Sequence, residues 1–578
     1  MNWNVPQHQL DLASRLAALM ALSRRCVPYV ILMLACLACL GPFADKAFHI
    51  DDPLFLWAAQ HIQKHPLDFF GFEVHWYATY QPMWDVTQNP PLTCYYIALV
   101  AALFGWSEVA LHLAFVLPAV GVLWGTYVLA RRFSRWPMLA TLATLLTPVF
   151  LVSATNIMCD TMMLCFWVWT IVAWDAGLRQ RRGIWLYTAG VLIAVTTLTK
   201  YFGISLVPLL AVYAVAVDRR GWKRWLPALL VAVLLLAGYQ GLTYALYGRP
   251  LLFSAMNYAA SYQSLYPLDM LSKLFRTFAF LGGCAGGLVL FLPLLWSGRR
   301  LFLLAALGGF LVYLMTSEEL ERYFLGVHIP DIPGQSLQFA LFSVAGIYLL
   351  MLTFEDLWKE RSAESLWLVL WVLGTAVFAG FVNWALNGRS VLPLVPPLAI
   401  LVMRGLDRKW KDRLVDRTWL AYVPLAPAAV GALLLAWADY HMANSSRTAA
   451  RRAASYCSEM GICWFRGHWG FQYYMEQMGG RPWDFRHPNG QVGDVIITAD
   501  NNTNTYSVPE EKLIIVERIE EPSFPWLATM HYGAGASFYS DMWGPLPFYV
   551  GTAPPEVFLV ARLKQPIQQE EGDHLGPR

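Results

Sequence analysis

The sequence predicts a polytopic α-helical membrane protein with about thirteen transmembrane helices, followed by a small C-terminal α/β domain outside the membrane. Three observations support this prediction. The chain of 578 residues is 57% hydrophobic and only 14% charged, whereas soluble globular chains are about 25% charged. Apolar runs of membrane-spanning length recur between residues 27 and 437. After residue 438 the composition becomes charged and rich in turn-forming residues.

The N-terminal segment, residues 1–26, is expected to be a cytoplasmic lead-in because it carries Arg15, Arg24 and Arg25. Basic flanks stay on the cytoplasmic side, so the first span, residues 27–43, should lead outward. This orientation places the following loop, residues 44–108, on the extracytoplasmic face. A cleavable signal peptide is not expected, because no small-residue cleavage site follows the apolar run.

The apolar run from Leu92 to Phe104 decides the topology. At about 13 residues it is too short to cross roughly 30 Å of hydrocarbon as a helix. If it lies at the interface, the next run leads inward, and Arg131, Arg132 and Arg135 are cytoplasmic. The same choice places the later basic clusters inside; these are residues 179–182, 219–224, 299–300 and 404–413. We therefore predict an interfacial helix here.

The remaining spans follow from the apolar runs between short polar turns. They are predicted at 109–130, 137–154, 158–178, 184–199, 202–218, 225–246, 274–297, 301–315, 336–353, 365–386, 390–404 and 419–437. The resulting parity puts the turn at 155–160, the turn near Lys200, the segments 247–273, 316–335 and 384–390, and the chain after 438 outside. No internal repeat is evident, which weakens an inverted-repeat transporter interpretation.

The C-terminal region, residues 438–578, has the pattern of a small α/β domain. A helix is predicted at 470–478 and strands at 494–498, 512–516 and 556–560, with a disordered tail from Gln568. Cys457 and Cys463 have two interpretations: a disulfide, if the domain is extracytoplasmic, or two reduced thiols. Four residues of this region are interpreted as core residues or as packing against the membrane domain, although a binding surface is an alternative: Arg466, His468, Trp469 and Trp543.

Two adjacent carboxylates, Asp51 and Asp52, open the first external loop directly after a predicted span. One of them, Asp52 in our interpretation, is explained as a helix cap because Pro53 follows. Capping does not explain the other. Because ionisable groups at a membrane boundary are costly to keep near lipid, they often mark function. Asp51 is therefore a candidate functional residue.

Three more charged residues, Asp160, Lys200 and Arg389, lie at the external ends of predicted spans that are far apart in sequence. Each has a simpler explanation alone: a helix cap, a lysine reaching the interface, or an arginine paired with a lipid phosphate or with Asp160. As a set on one membrane face they favour a common site. A carboxylate can accept a proton from a hydroxyl, and Lys and Arg stabilise a phosphate.

These motifs resemble the GT-C superfamily of polyprenyl-phosphate-dependent glycosyltransferases. Within it, the chain is similar to the group of bacterial protein O-mannosyltransferases and lipid A aminoarabinose transferases. The resemblance covers about residues 44–405 and is strongest in the order and spacing of its motifs. The motifs are Ile50-Asp51-Asp52-Pro53, Asn89-Pro90-Pro91-Leu92, Asp160 before an aromatic-rich span, Leu198-Thr199-Lys200, and the run from Arg389 to Pro396.

The resemblance implies transfer of a monosaccharide from a polyprenyl-phosphate donor to a hydroxyl acceptor on the extracytoplasmic face, with inversion. The acceptor would be a glycan, a lipid or a protein. Asp51 would deprotonate the acceptor hydroxyl, and Asp160 would be a second acidic site that orients the acceptor or Asp51. The expected substrate-binding residues, for lipid phosphate and sugar, are Lys200, Arg389, Asp52, Asn89, His75 and Trp76.

The chain departs from the family at Asn89, where relatives often carry a basic residue before the paired prolines. Either Lys200 and Arg389 carry more of the phosphate binding, or the donor differs. We expect no cofactor and assign no metal ligands, although a divalent metal is left open because some superfamily members use one. The other partners are membrane lipids; the net charge of +3 does not suggest nucleic acid. The resemblance implies a bacterial inner membrane.

Three other classes of protein remain as alternatives. A transporter or flippase of lipid-linked sugars would carry ionisable residues near mid-span, whereas the charges here lie at the ends of spans. An oligosaccharide transferase with a lipid-diphosphate donor would favour a divalent metal and more acidic residues in the external loops. A non-catalytic protein of cell-envelope assembly would use the C-terminal region to bind a partner.

Overall fold

The computed structural model describes residues 25–265, 267–315, 317, 334–410, 418–459, 462–503, 505 and 508–567. The lead-in predicted for residues 1–24 and the tail predicted from residue 568 lie outside this range, as does most of the predicted external segment 316–335.

The N-terminal three quarters of the described chain is helical, with one β-hairpin in the first loop. Its helices are α1 (Arg25–Phe43), α2 (Asp52–Lys64), α3 (Leu92–Phe104), α4 (Glu108–Phe133), α5 (Pro137–Leu145), α6 (Pro148–Ala154), α7 (Cys159–Gln180), α8 (Gly183–Thr199), α9 (Leu206–Asp218), α10 (Trp222–Tyr247), α11 (Leu251–Leu265), α12 (Met270–Cys284), α13 (Gly286–Leu295), α14 (Gly298–Leu314), α15 (Gln335–Glu360), α16 (Ala363–Val382), α17 (Gly388–Lys409) and α18 (Leu425–Glu459). The hairpin pairs β1 (Glu73–Trp76) with β2 (Thr79–Pro82) in antiparallel register.

The chain is an integral membrane protein. By length and hydropathy, eight helical segments of the described residues can cross a membrane, or up to ten if each of two bent pairs is one span. Every predicted span contains a helix, but the predicted number, about thirteen, is higher. The difference has two reasons. Two predicted spans fall in one apolar segment, Tyr201–Tyr247, which is counted once. Two other predicted spans correspond to α8 and α14, which have only 17 residues each. The helix α3, with 13 residues, is as short as predicted.

Ion pairs between helices gather at one end of the membrane domain. Arg132 contacts Asp175 and Glu364, each at 3.0 Å, and Arg404 and Arg408 both contact Asp356. Asp175 lies near the C-terminal end of α7, a helix of 22 residues and therefore about 33 Å long, whereas Asp160 begins the same helix. These basic clusters and the candidate site therefore lie at opposite ends of the helices. Which end faces the cytoplasm stays a prediction.

The C-terminal part forms a five-stranded sheet in the order β4-β3-β5-β11-β6. Its strands are β3 (Cys463–Arg466), β4 (Arg481–Pro482), β5 (Val495–Ala499), β6 (Leu513–Glu521) and β11 (Glu556–Leu563), and short strands lie between β6 and β11: β7 (Leu527–Ala528), β8 (Met530–His531), β9 (Ala536–Ser537) and β10 (Tyr549–Val550). The strands β3, β4 and β5 are parallel, and β11 is antiparallel to both of its neighbours.

The helix and the three strands that the sequence predicted in this region are present, the helix as α19 (Trp469–Gln477). The predicted boundary at residue 438 lies inside the continuous helix α18. This helix therefore connects the two parts without a linker. A disulfide between Cys457 and Cys463 joins the end of α18 to the first strand of the sheet, which decides between the two interpretations of these cysteines.

A buried polar cluster holds the C-terminal part against the membrane domain. Lys46 is fully buried, and its Nζ donates to Asp439 Oδ2 at 2.5 Å and to Asn156 Oδ1 at 2.7 Å. The hydroxyls of Thr529 and Tyr539 also donate to Asp439, each at 2.7 Å. Since buried charges are tolerated only when they are paired and hydrogen-bonded, this cluster fixes the relative position of four distant segments.

Replacing Lys46 tests the stabilising role of this cluster. We expect Lys46→Met to lower the free energy of unfolding in detergent by about 3 kcal/mol or more, because the Asp439 carboxylate stays buried without its cation. The matched control is Arg179→Met, which removes a half-exposed cation from the buried Asp175. Because Asp175 keeps its contact with Arg132, this change should cost less than about 1 kcal/mol. Denaturant titration measures both values. Equal losses in the two variants would contradict the prediction.

Candidate functional site

A cavity of about 1420 Å³ lies between the C-terminal part and the helix ends that carry Asp160 and Arg389. Its lining has three kinds of surface. Charged residues of the membrane domain are Asp51, Asp160, Lys200 and Arg389. Apolar residues come mainly from α11 and the end of α16, among them Leu252, Met256, Phe378, Phe381 and Val382. The C-terminal part adds polar and aromatic side chains.

The four charged residues form one connected set. Arg389 Nη2 lies 3.0 Å from Asp51 Oδ2, and Arg389 Nη1 lies 4.0 Å from Asp160 Oδ2. Lys200 Nζ lies 2.5 Å from Asp160 Oδ1. Two carboxylates and two cations thus neutralise each other in the order Asp51, Arg389, Asp160, Lys200. The structure brings together all four residues that the sequence placed at the ends of distant spans.

The local backbone explains how Asp51 reaches this set. Asp51 occupies the N-cap position of α2, yet its side chain makes no capping hydrogen bond. The preceding Ile50 is buried and has a φ of +47°, a conformation that is costly for a β-branched residue. This turn directs the carboxylate of Asp51 to Arg389 instead of to the helix. Its side chain is 27% exposed, compared with 2% for Asp160.

Helix ends position the other three charged residues. Asp160 lies in the first turn of α7, where the helix dipole favours a carboxylate. Lys200 follows the last residue of α8 in an extended conformation. Arg389 is the second residue of α17, whose N-cap Asn387 accepts a hydrogen bond from Ser390 N at 2.8 Å. Each side chain is therefore set by where an apolar helix begins or ends.

Asp52 is a correction to the sequence interpretation. It was expected to cap α2 and to bind substrate, but it is fully buried and does not line the cavity. Its carboxylate accepts hydrogen bonds from His49 N at 2.8 Å and from Ile157 N at 3.2 Å. Burial raises the pKa of Asp52 to about 7. Asp52 therefore connects the first loop to the turn that precedes Asp160.

His75 is a second correction. It was expected to bind substrate, but it is buried in strand β1, packs edge-on against Tyr80 and does not line the cavity. Burial lowers the pKa of His75 to about 4. The neighbouring Trp76 lines the cavity and stacks on His468, with 4.8 Å between the ring centroids. Alternation of side chains along the strand separates the two residues.

Asn89, predicted to bind substrate, lines the cavity. Its Oδ1 lies 3.5 Å from the thiol of Cys159, the residue before Asp160. The position where relatives often carry a cation is thus neutral, and Lys200 and Arg389 are the basic residues nearest to the two carboxylates in the described lining. Arg518, the third basic residue of that lining, pairs with Glu520 at 2.6 Å.

The C-terminal part supplies lining residues that the sequence interpretation did not assign to the site. They include Trp469, Asp500, Asn501, His531, Tyr539 and Trp543. Trp469 and Trp543, interpreted as core or packing residues, lie in this wall with 5.3 Å between their ring centroids. The one local signal was that each precedes a glycine, in Trp469-Gly470 and Trp543-Gly544. Tyr539, whose ring lies 5.5 Å from the Arg389 guanidinium, had no such signal.

Four buried polar atoms in the lining have no hydrogen-bond partner among the described residues. They are Asp160 Oδ2, Arg389 Nε, His531 Nδ1 and Ser540 Oγ. Because buried polar atoms in native proteins are normally paired, these atoms indicate where a ligand or water would bind. No group of three or more His, Cys, Asp or Glu residues in the described ranges is arranged to hold a metal ion.

Residues 88–240 match a protein-family model described as dolichyl-phosphate-mannose-protein mannosyltransferase. The matched segment contains Asn89, Asp160 and Lys200, whereas Asp51 and Arg389 lie outside it. Over this segment, the match agrees with the predicted resemblance to the protein mannosyltransferases. The match supports a glycosyltransferase as the class of enzyme. A search of curated proteins finds no match.

Among solved structures, the chain is similar to ArnT from Cupriavidus metallidurans in the apo state, with 15% identity, a TM-score of 0.46, and coverage of 83% of this chain and 94% of that one. The same enzyme bound to undecaprenyl phosphate gives 16% identity, a TM-score of 0.43, and coverage of 82% and 93%. The oligosaccharyltransferase of Archaeoglobus fulgidus in the apo form gives 13% identity, a TM-score of 0.45, and coverage of 79% and 64%.

The carboxylate of Glu556 beneath the C-terminal wall gives a pH-dependent prediction. Its oxygens accept hydrogen bonds from the cavity residue Asn501 at 2.8 and 3.0 Å, and burial raises the pKa of Glu556 to about 8. The folded state therefore retains the Glu556 proton at pH values where the unfolded state has released it. The contribution of this proton to the free energy of unfolding is fully present below the ordinary glutamate pKa and is lost as the pH rises through about 8.

We expect the free energy of unfolding of the wild type to fall by on the order of 3 kcal/mol more than that of Glu556→Gln between pH 5.5 and 8.5. Thermal and denaturant unfolding in detergent at both pH values measure the difference. Glu520→Gln, at a side chain that is 51% exposed, is the control and should keep the wild-type slope. An unchanged slope in Glu556→Gln would show that this carboxyl does not titrate as expected.

Proposed function

We propose that this protein transfers a monosaccharide from a polyprenyl-phosphate donor to an acceptor hydroxyl, with inversion, at the extracytoplasmic face of the membrane. The observation that carries the proposal is the neutral set of Asp51, Arg389, Asp160 and Lys200 inside a cavity that combines apolar and polar walls. The apolar residues from α11 and α16 suit a polyprenyl chain. The polar wall from the C-terminal part suits a hydrophilic acceptor.

Arg389 and Lys200 would bind the donor phosphate. Both can donate hydrogen bonds to phosphate oxygens, and both already lie beside carboxylates, for which a phosphate is a chemical substitute. The lining has the neutral Asn89 where relatives often carry a cation, so these two residues carry the phosphate binding in our proposal. An incoming phosphate would take over the contact that Asp51 makes with Arg389.

Asp51 would be the catalytic base. It is the more exposed of the two carboxylates, and a single cation at 3.0 Å holds it, whereas Asp160 is buried against Lys200. In the reaction, the acceptor O–H gives its proton to Asp51 while its oxygen bonds to the anomeric carbon. The bond from that carbon to the phosphate oxygen breaks, and the electron pair leaves with the lipid phosphate. Lys200 and Arg389 stabilise the growing negative charge.

The disulfide between Cys457 and Cys463 supports an extracytoplasmic location of the site. Disulfides persist in oxidising compartments and are rare in the cytosol, and the C-terminal part that contains this disulfide also forms one wall of the cavity. The proposed membrane, a bacterial inner membrane, rests on the family resemblance.

Replacing Asp51 tests the base. With radiolabelled polyprenyl-phosphate sugars and an extract of the cell envelope, we expect Asp51→Asn to reduce sugar transfer by about 10²- to 10⁴-fold. The control is Asp85→Asn in the same loop, where Asp85 pairs with Arg249 in a half-exposed contact at 2.9 Å; it should transfer at the wild-type rate. Equal transfer by wild type and Asp51→Asn would remove Asp51 from the chemistry and direct attention to Asp160.

Replacing the two cations tests the phosphate site. We expect Lys200→Met and Arg389→Met each to weaken binding of undecaprenyl phosphate by about 10-fold or more, since a hydrogen bond to a charged group contributes about 1.5–3 kcal/mol. The control is Arg249→Met, at a side chain that is 52% exposed; it should bind undecaprenyl phosphate as the wild type does. Wild-type affinity in both cation variants would contradict the proposed site. Transfer only from diphosphate-linked donors would favour an oligosaccharide transferase, and movement of labelled donor across liposomes without transfer would favour a flippase.

A further inference from the structure

The segment Phe538–Asp541 of the C-terminal part is hydrogen-bonded to the loop that carries Arg389. Gly388 N donates to Phe538 O at 2.7 Å, and Asp541 N donates to Leu386 O at 2.9 Å. In return, Leu386 N donates to the Asp541 carboxylate at 3.0 Å. The contacts involve the backbone N–H of Leu386 and of Gly388 and the backbone carbonyl of Leu386. The backbone that leads into Arg389 is therefore held by a segment about 150 residues further along the chain.

Tyr539, within this segment, contacts the Arg389 side chain itself. The guanidinium carbon lies 5.5 Å from the centroid of the Tyr539 ring, within the range of a cation–π interaction. The ring is fixed at its other end, because the hydroxyl donates to Asp439 at 2.7 Å and accepts from Asn156 Nδ2 at 3.0 Å. Tyr539 is 2% exposed, so its ring has little freedom to turn.

We propose that Tyr539 is a positioning residue for Arg389, so that the C-terminal part completes the phosphate-binding site. This inference rests on the proposed function, in which Arg389 binds the lipid phosphate. A guanidinium is planar, and an aromatic face restricts the plane in which its N–H groups point. When a phosphate replaces Asp51 at Arg389, the ion pair changes but the ring contact does not. The ring keeps Arg389 in place during that exchange.

A purely structural role for Tyr539 is the competing explanation, and the chain offers a matched residue for it. Tyr474, in the same C-terminal part, also donates its hydroxyl to a membrane-domain carboxylate, Glu108, at 2.9 Å. It also accepts from a membrane-domain nitrogen, Phe48 N, at 2.9 Å. Tyr474 is buried, does not line the cavity and makes no contact with Arg389 among those described. Its replacement removes an equivalent docking contact away from the site.

The test compares Tyr539→Leu, Tyr539→Phe and Tyr474→Phe in the full-length protein, with undecaprenyl phosphate as the probe. We expect Tyr539→Leu to raise the dissociation constant by about 3- to 30-fold, the range of a desolvated cation–π contact. Tyr539→Phe keeps the ring and should raise it less. Tyr474→Phe should lower the melting temperature about as much as Tyr539→Phe but leave the dissociation constant unchanged. With a transferable donor, the loss should appear in KM more than in kcat.

A second experiment moves the backbone instead of the ring. A Cβ on Gly388 would lie 2.7 Å from the nearest carbon of the Phe538 ring, so Gly388→Ala should push the two segments apart and weaken phosphate binding. Adding Phe538→Leu removes that ring and should restore most of the affinity. This rescue tests whether the segment Phe538–Asp541 positions Arg389 even if Tyr539→Leu fails to fold, because neither substitution alters Tyr539 or Arg389.

Three outcomes would overturn the proposal. They are wild-type affinity in Tyr539→Leu, an equal loss of affinity in Tyr474→Phe, and failure of Phe538→Leu to rescue Gly388→Ala. Arg389→Met is measured in the same series to separate this inference from the proposed function. If Arg389→Met binds undecaprenyl phosphate as the wild type does, the phosphate site itself is wrong. If Arg389→Met loses binding and Tyr539→Leu does not, only the positioning role is wrong.

Discussion

Charge balance at the cavity is the constraint on which the site depends. Two carboxylates and two cations, Asp51 with Arg389 and Asp160 with Lys200, lie at the ends of apolar helices, where an unpaired charge would be expensive. The carboxylates hold the cations in place. In the proposed function, a phosphate that binds Arg389 would take over its contact with Asp51, the less buried of the two carboxylates. Binding of the donor would then release the proposed base.

The second buried ion pair, Lys46 with Asp439, connects this site to the rest of the molecule. Asp439 accepts a hydrogen bond from Tyr539, and the ring of Tyr539 faces Arg389. The first loop, the helix α18, the C-terminal part and the phosphate site are thus joined through consecutive contacts between side chains. A variant that breaks the contact between Asp439 and Tyr539 should therefore also disturb the geometry around Arg389. Tyr474 docks the same C-terminal part through Glu108 and Phe48, outside this series of contacts, and is for that reason the control.

The sequence predicts those features that depend on local patterns. Apolar runs located the helices and their ends. Placing the basic clusters on one side of the membrane put the ends that carry Asp51, Asp160, Lys200 and Arg389 together on the other side. The sequence was less informative about neighbouring residues: it separated the roles of Asp51 and Asp52 but still assigned Asp52 to substrate binding. Asp51 faces the cavity and Asp52 does not, because of a turn at Ile50 with positive φ that no pattern reveals. His75 and Trp76 were separated by strand alternation in a hairpin that was not predicted. Tyr539 was missed because its partners, Asn156 and Arg389, are distant in sequence.

The origin of the lining residues suggests how the site divides its tasks. The four charged residues belong to the membrane domain, whereas Trp469, Trp543 and Tyr539 belong to the C-terminal part. In the proposed function, Lys200 and Arg389 bind the lipid phosphate, which leaves the polar and aromatic side chains of the C-terminal wall to contact the acceptor. If the proposed function is correct, acceptor choice should therefore reside in the C-terminal wall, and Tyr539 is where that wall meets the phosphate site.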